Sequence, residues 1–472
     1  MGFLKSYISI QLSGQFDRKW YAMQYPDVAK KGSDLLKHYI RYGAGERRNP
    51  SKEFDTGFYL NRNPDVIAKA INPLLHYILY GRKEGRSPNP RDYARIVYHR
   101  HTMLACQGKK NNESSFLFDR SAVIIAETSL PQCLKYRVNQ TKSIFTALGF
   151  QVAVIDWRDF QEALSALQCC SVVIFYRVPL YDGFFARYFS ECRRLKIQTG
   201  YDIDDPVFDS CTVVANGNID HLADNVVQSL VNDAPMLQLP LFSCDFSVVS
   251  TEGMRRLLQE TGYAKPIIVR RNGFDEETLA ISDRINAGCH NRTNSPIIIM
   301  YATPSKSHQS DFLLIEKVLV QVLTQYEGQV RLLTVGDLAL SQDLEQVSRL
   351  IDTAEVTDYA GFLQVLSNVD INIVPLVPND FNATKSNIKF LDAAAVGVPS
   401  VCAAVGDYRN LIDGKDCFLA DTEAEWLEKL SRLIDDEKLR VQMGQYAGTV
   451  AREQFSLPVV AKELAAYLLE SE

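Results

Sequence analysis

Residues 370–405 read "DINIVPLVPNDFNATKSNIKFLDAAAVGVPSVCAAV", and the parsing of this stretch decides the fold. "DINIVPL" and "SVCAAV" are short apolar runs of the type buried in a parallel sheet. Between them, Ser386 or Asn387 is suited to cap a helix in which Ile388, Leu391 and Ala395 face a core, and Gly397 with Pro399 stops it before the next strand. The loop before this helix brings Lys385 and Lys389 to its amino terminus, where unpaired backbone N–H groups already favour negative charge. Two ammonium groups there repel each other and the dipole. The arrangement is understandable if a multiply charged anion sits between them, and a diphosphate fits a helix end. Asp392, one turn further in, can accept hydrogen bonds from a ribose. The alternative is an ordinary i,i+3 surface pair of Lys389 with Asp392, beside a solvated Lys385.

The same alternation extends in both directions. Upstream, "AVIIAE", "QVAVIDW", "VVIFYRV", "IQTGYDID", "FSVVST" and "PIIVRRNG" read as strands, with helical patterns such as "NQTKSIFTALGF" and "DGFFARYFSECRRLKI" between them. The polar segment 281–295 has the composition of an interdomain linker. After it come "PIIIMYAT", a long helix through "SDFLLIEKVLVQVLTQYEG", "VRLLTVGD", the opening stretch and a helical end. The expectation is α/β: two Rossmann-like doubly wound domains, 120–280 and 296–472, facing a cleft at the carboxyl ends of their sheets.

Residues 1–95 differ. "FDRKWYAMQYPDVAKKGSDLLKHYIRYGAGERRNP" from Phe16 aligns without gaps with "FDTGFYLNRNPDVIAKAINPLLHYILYGRKEGRSP" from Phe54, a period of 38 residues. Each copy has an aromatic pair, a Pro-Asp break, and an apolar helical stripe ending in Gly, expected in the left-handed cap position. Two small helical units of this kind must stack to bury their faces. His38 and His76 are equivalent, and packing explains them better than metal binding, since neither has a second ligand at metal spacing. Residues 96–119 read as a linker to the first α/β domain.

Composition narrows the function. The chain has 472 residues with 51 Lys and Arg against 57 Asp and Glu, so a net charge of −6 gives no footprint for a nucleic-acid partner. Ten cysteines without a Cys-x-x-Cys pair read as reduced thiols of a cytoplasmic protein, with neither disulfides nor zinc expected. No apolar run is long enough to span a membrane, and the start "MGFLKSYISIQLSG" is too short and polar for a secretory signal, though it fits the loose Met-Gly-x-x-x-Ser acylation pattern.

The stretch from 370 to 420, with "CLKYRVNQTKSIFTALGFQVAVIDWRD", "VVIFYRVP", "YDIDDPVFD", "STEGMRRLL" and "RRNGFDEE", resembles GT-B glycosyltransferases, near family 4 and its relatives in bacterial surface-polysaccharide synthesis. The amino-terminal repeats resemble an accessory module found ahead of such enzymes. The resemblance implies that the second domain holds a nucleotide diphosphate sugar as donor substrate, with no cofactor and no metal. Its diphosphate would lie against Lys385, Ser386, Asn387, Ile388 and Lys389, and its ribose against Asp392. A second phosphate contact is expected from "YATPSKSHQSDF", through Ser305, Lys306 and His308; Pro304 stands where relatives have glycine and removes an N–H donor. The family's paired glutamates, eight positions apart, are here Thr384 and Asp392.

The first domain is expected to bind a carbohydrate or lipid-linked glycan acceptor. Asp202-Ile-Asp204 suggests a metal pair, but in this setting Asp204 and Asp205 are expected to face the acceptor. Tyr136, Arg137, Tyr176, Arg177, Asp202 and Asn272 complete the expected cleft. Arg177 is expected to point into it, and the alternative for both arginines is pairing with the Asp202–Asp205 cluster. With Lys389, Asp204 and Asp205 are the expected catalytic groups. Two rival expectations are an inactive relative that binds through its repeats, and an enzyme that epimerises or hydrolyses the sugar nucleotide. Any membrane association would be peripheral, at the inner face of the plasma membrane.

Overall fold

Twelve short strands form two sheets. The protein is described by a computed structural model, which covers residues 3–30, 32, 34–84, 86–90, 92, 120–219, 222–287, 296–303, 308–336, 338–355 and 358–470. The first sheet holds β1 (Ser121–Ala126), β2 (Gln151–Asp156), β3 (Val172–Tyr176), β4 (Gln198–Ile203), β5 (Phe246–Val249) and β6 (Ile267–Val269) in the order β2-β1-β3-β4-β5-β6. The second holds β7 (Ile297–Ala302), β8 (Val330–Val335), β9 (Ile351–Ala354), β10 (Ile371–Val374), β11 (Ser400–Cys402) and β12 (Phe418–Leu419) in the order β12-β11-β10-β7-β8-β9. The pairings β1–β3, β3–β4, β7–β10 and β10–β11 are parallel, with Ile124 opposite Ile174 and Asn372 opposite Ser400. β3, β5 and β10 are buried along their whole length, which explains their unbroken apolar runs.

Strand order reverses direction between β1 and β3 in one sheet, and between β7 and β10 in the other. In doubly wound sheets such a reversal marks the crevice at the carboxyl ends of the strands where ligands bind. Helix Ile388–Ala395 follows β10 and starts beside the second crevice. It ends at Gly397, whose φ of +72° only glycine adopts without strain.

Several expectations need correction. The long helix at 310–328 is two helices, Gln309–Leu313 and Glu316–Gln325, because buried Ile315 leaves helical dihedrals at φ −115° and ψ 11°. The segment from 281 is not a linker at its start, since helix Glu276–Ala287 runs through it; the remainder, 288–295, lies outside the described residues. The proposed linker 96–119 also lies outside them. The last helix, Lys462–Glu470, expected in the second domain, packs on the first: Leu464 and Leu468 enter the first sheet's core with Ile124, Ile174 and Phe246.

By compactness, the amino-terminal repeats with 159–171 and 191–197 form one unit, and the two sheets lie in the other. Within the repeats, residues 38 apart make the same contacts. Tyr21 Oη lies 3.2 Å from His38 Nδ1, and Tyr59 Oη lies 2.9 Å from His76 Nδ1. Arg48 pairs with Asp27 at 2.9 Å and Arg86 with Asp65 at 2.8 Å. Gly43 and Gly81 are not left-handed caps. They lie in π-helical turns, where a Cβ would stand 2.4 Å from Tyr21 Oη and 2.0 Å from Tyr59 Oη, so glycine is required by close approach.

Candidate functional site

At the crevice beside β7 and β10, Asn387 occupies the cap position of helix Ile388–Ala395, but no side chain caps it, contrary to expectation. The Lys389 N–H is directed at the hydroxyl of buried Tyr408, so of the first two N–H groups of the helix that of Ile388 is the one without a partner among the described residues. Lys389 reaches back over the ring of Tyr301 in β7, 5.1 Å from its centroid, and has no ion-pair partner among the described residues. Burial pushes its ammonium down to about 8, against the more distant carboxylates of Asp311 and Asp392 and with the added repulsion of Lys385. The surface pair of Lys389 with Asp392 does not form.

Asp392 is turned the other way. Its Oδ1 accepts from the hydroxyls of Tyr136 and, at 3.0 Å, Tyr359, and Lys135 lies 4.1 Å above the Tyr359 ring. Lys135 itself pairs with Asp275 at 3.1 Å and Glu277 at 2.9 Å. Burial raises Asp392 to about 6 despite both tyrosines. Oδ2 accepts no hydrogen bond among the described residues.

His308 pairs with Asp311 at 3.2 Å, and burial lowers the imidazole below its ordinary value. Asp311 is fully buried and organises the site: its carboxylate accepts from Asn382 at 2.7 Å, from the Val377 N–H at 2.9 Å and from Asn218 of the first domain at 3.0 Å. Ser305 and Lys306 lie outside the described residues.

The first domain's polar groups collect at the carboxyl ends of β3 and β4. Arg177 sits one residue past β3 with φ +49°, a left-handed conformation that costs a non-glycine residue about 1 kcal/mol or more. Its fork reaches Asp204 at 2.7 Å and Asp205 at 2.7 Å, and Tyr176 Oη donates to Asp204 at 3.1 Å. Asp205 also bonds Lys385 of the second domain at 2.8 Å. Burial alone would raise Asp205, but Lys385 and Arg177 hold it well below the carboxylate range.

Arg137 and Asp202 are not cleft groups. Both are buried, paired at 2.8 Å, and tied to the segment after β6, where Arg137 Nη1 donates to the Arg270 carbonyl at 2.6 Å. Arg270 in turn donates to the carbonyls of Tyr136 and Arg137 at 3.0 and 3.1 Å. This pair fixes one segment of the first domain to another and leaves no face for an acceptor. Asp202 and Asp204 are also held by different arginines, and among the described residues no group of three His, Cys, Asp or Glu is placed to hold a metal ion.

Of the remaining expected groups, Asn272 donates to Ser386 at 3.0 Å and so joins the two domains. Thr384 is buried with its hydroxyl on the Phe381 carbonyl at 2.7 Å, so its side chain is turned away from any ligand. Sequence reasoning missed Asp311, Tyr359, Lys135 and Thr251. A lone acid or hydroxyl carries no spacing signal, although Asp311, three residues after His308, could have been paired with it.

Residues 296–436 match the family model described as Glycosyl transferases group 1. No curated protein matches the chain in sequence. A sucrose-phosphate synthase from Thermosynechococcus elongatus superposes with a TM-score of 0.50 at 14% identity, over 75% of this chain and 100% of its own. Anabaena HepE, solved with UDP and glucose, gives 0.49 at 14% identity over 75% and 100%. A UDP-forming trehalose-phosphate synthase from Burkholderia xenovorans gives 0.48 at 10% identity over 74% and 99%. The two-sheet architecture is thus the GT-B fold, and the residues that carry its second sheet are the ones that match the glycosyl transferases group 1 model. Among the described residues no helix is long and apolar enough to cross a membrane.

Proposed function

We propose that this chain moves a sugar from a nucleotide diphosphate sugar to a carbohydrate or lipid-linked glycan acceptor, with retention of anomeric configuration, in the synthesis of a surface polysaccharide or glycan. The observation that carries the donor site is Lys389: a partly buried ammonium, without an ion-pair partner among the described residues, beside the uncapped start of a helix at a topological switch point. A diphosphate there would gain the Ile388 N–H and a cation that has no ion-pair partner among the described residues. As the glycosidic bond to the diphosphate breaks, negative charge grows on the leaving oxygen, and these preorganised groups stabilise it. A departing phosphate oxygen can take the acceptor's proton, so no strong protein base is required. Asp392 would accept from a ribose hydroxyl through Oδ2, and Arg177 with Asp204 would line the acceptor side. Retention, the polysaccharide role, a cytoplasmic location with peripheral membrane contact, and partner docking by the repeats rest on the family resemblance.

A second reading, an inactive binding protein, is favoured by Thr384, which offers no carboxylate where family 4 enzymes have one and is turned inward. Turnover separates the two. A thermal-shift screen against UDP, GDP, dTDP, ADP and CMP and their sugars, with and without EDTA, identifies the nucleotide, because a ligand of the folded state raises its stability by mass action. Incubation of the matching sugar nucleotide with glycan acceptors, followed by mass spectrometry, then tests transfer. A shift without acceptor-dependent product supports the binding protein; no shift with any nucleotide removes the donor site.

A further inference from the structure

Three consecutive residues before the donor helix each bond the first domain. Thr251 Oγ1 donates to the Thr384 carbonyl at 2.8 Å, Lys385 Nζ donates to Asp205 Oδ1 at 2.8 Å, and Asn272 Nδ2 donates to Ser386 Oγ at 3.0 Å. Gly253 presses against the same loop, where a Cβ would stand 2.3 Å from the Ala383 carbonyl oxygen. The first and third contacts involve neutral groups and fix the loop's position. The middle one is a charge pair, and its two partners are unequally provided for. Asp205 has a second cation, Arg177, at 2.7 Å, whereas Lys385 has no second carboxylate among the described residues and otherwise rests 4.8 Å from the centre of the Phe381 ring.

That asymmetry makes the lysine the movable member. Asp205 keeps its bond to Arg177, which it shares with Asp204, if Lys385 leaves, and Lys385 is a point charge on a flexible stem, four residues from Lys389. A diphosphate at the helix start offers more negative charge than one carboxylate, while the neutral clamps on either side hold the backbone of residue 385 in place.

We propose that Lys385 is an exchange cation: it belongs to Asp205 while the donor site is empty and passes to the diphosphate when the donor binds, freeing one Asp205 oxygen to orient the acceptor hydroxyl. The inference rests on the donor site proposed above. It makes Asp205 a competitor of the donor for one cation, and it places acceptor engagement after donor binding. The coupling is reciprocal, so whatever holds Lys385 on Asp205 weakens the donor by the same factor.

The test uses the full chain, with the nucleoside diphosphate identified by thermal shift as titrant. Calorimetric Kd values are measured for wild type, D205N, K385M and D205N/K385M, each with its melting temperature. Exchange predicts that D205N binds about three- to tenfold more tightly than wild type, that K385M binds about tenfold or more weakly, and that the double variant matches K385M because no lysine is left to compete for. In transfer assays D205N should lower both kcat and the donor KM, a split that a merely structural carboxylate does not produce. D205S is the second variant if D205N is unstable. Nucleotide binding by wild type with D205N and D205S both equal or weaker overturns the exchange and leaves the donor site standing. Absence of nucleotide binding by wild type overturns both.

Discussion

Lys389 should make donor affinity depend on pH in a window where ordinary lysines do not titrate. Its ammonium is held down to about 8, chiefly by burial. With that value the free site is about nine-tenths protonated at pH 7 and about one-tenth at pH 9. If only the ammonium binds the diphosphate, Kd should weaken about tenfold between pH 7 and 9, or ~1.4 kcal/mol. Binding near pH 8 should take up about half a proton, because the bound anion raises the lysine's pKa again. Isothermal titration in two buffers of different ionisation enthalpy reads both quantities. K389R keeps its charge throughout and should abolish the pH dependence, while K389M should bind about 1.5 to 3 kcal/mol more weakly at pH 7. A wild-type Kd that is constant from pH 7 to 9, with K389M binding as wild type does, refutes the placement of the diphosphate on Lys389.

Other perturbations test the surrounding frame. Burial holds Asp392 at about 6, above the ~3.9 of an unfolded chain, so its protonation stabilises the fold below about pH 4 and that contribution is lost as pH rises through 6. D392N should therefore raise the melting temperature relative to wild type at pH 8 and not at pH 4; a pH-independent difference counts against the buried carboxylate as the cause. R137M leaves Asp202 with Arg270, 3.6 Å away, as its one cation among the described residues, and should cost ~3–5 kcal/mol in urea unfolding, with R137M/D202N recovering part of it. G253A drives a Cβ into the Ala383 carbonyl and should weaken donor binding while the protein stays folded by circular dichroism; unchanged affinity would show that the loop tolerates displacement. G81A should destabilise the repeats by about 1–3 kcal/mol, and Y59F should relieve it by removing the hydroxyl it strikes.

Local pattern was enough for most of the fold. Apolar runs marked β1, β3, β5, β7 and β10 because a strand buried on both faces has no polar side to interrupt it. β9 was missed, since "IDTA" exposes its two central residues, and β12 was missed because two residues carry no period. The 38-residue repeat was legible as a pattern of residues, but its glycines were assigned to the wrong constraint. Their φ angles could be guessed locally, whereas the tyrosine hydroxyls that exclude a Cβ stand 22 residues away in the chain.

The sequence by itself determined which residue types the candidate site would hold: two lysines and an aspartate at a helix start, an arginine and an aspartate cluster at strand ends, and a second arginine in the segment after the first strand. Only the tertiary structure decided how they are shared. Arg137 and Arg177 carry the same Tyr-Arg-Val context, yet the first is sealed onto Asp202 and the second bridges Asp204 and Asp205 at the crevice edge. Lys385 and Lys389 are neighbours on one loop and helix, yet one is paired with a residue 180 positions earlier and the other is paired with none among the described residues. The reason is physical. Parallel βα units deliver the carboxyl ends of all their strands to one edge, and which ends become neighbours depends on strand order and on the closure of two sheets, neither of which leaves a mark on local periodicity.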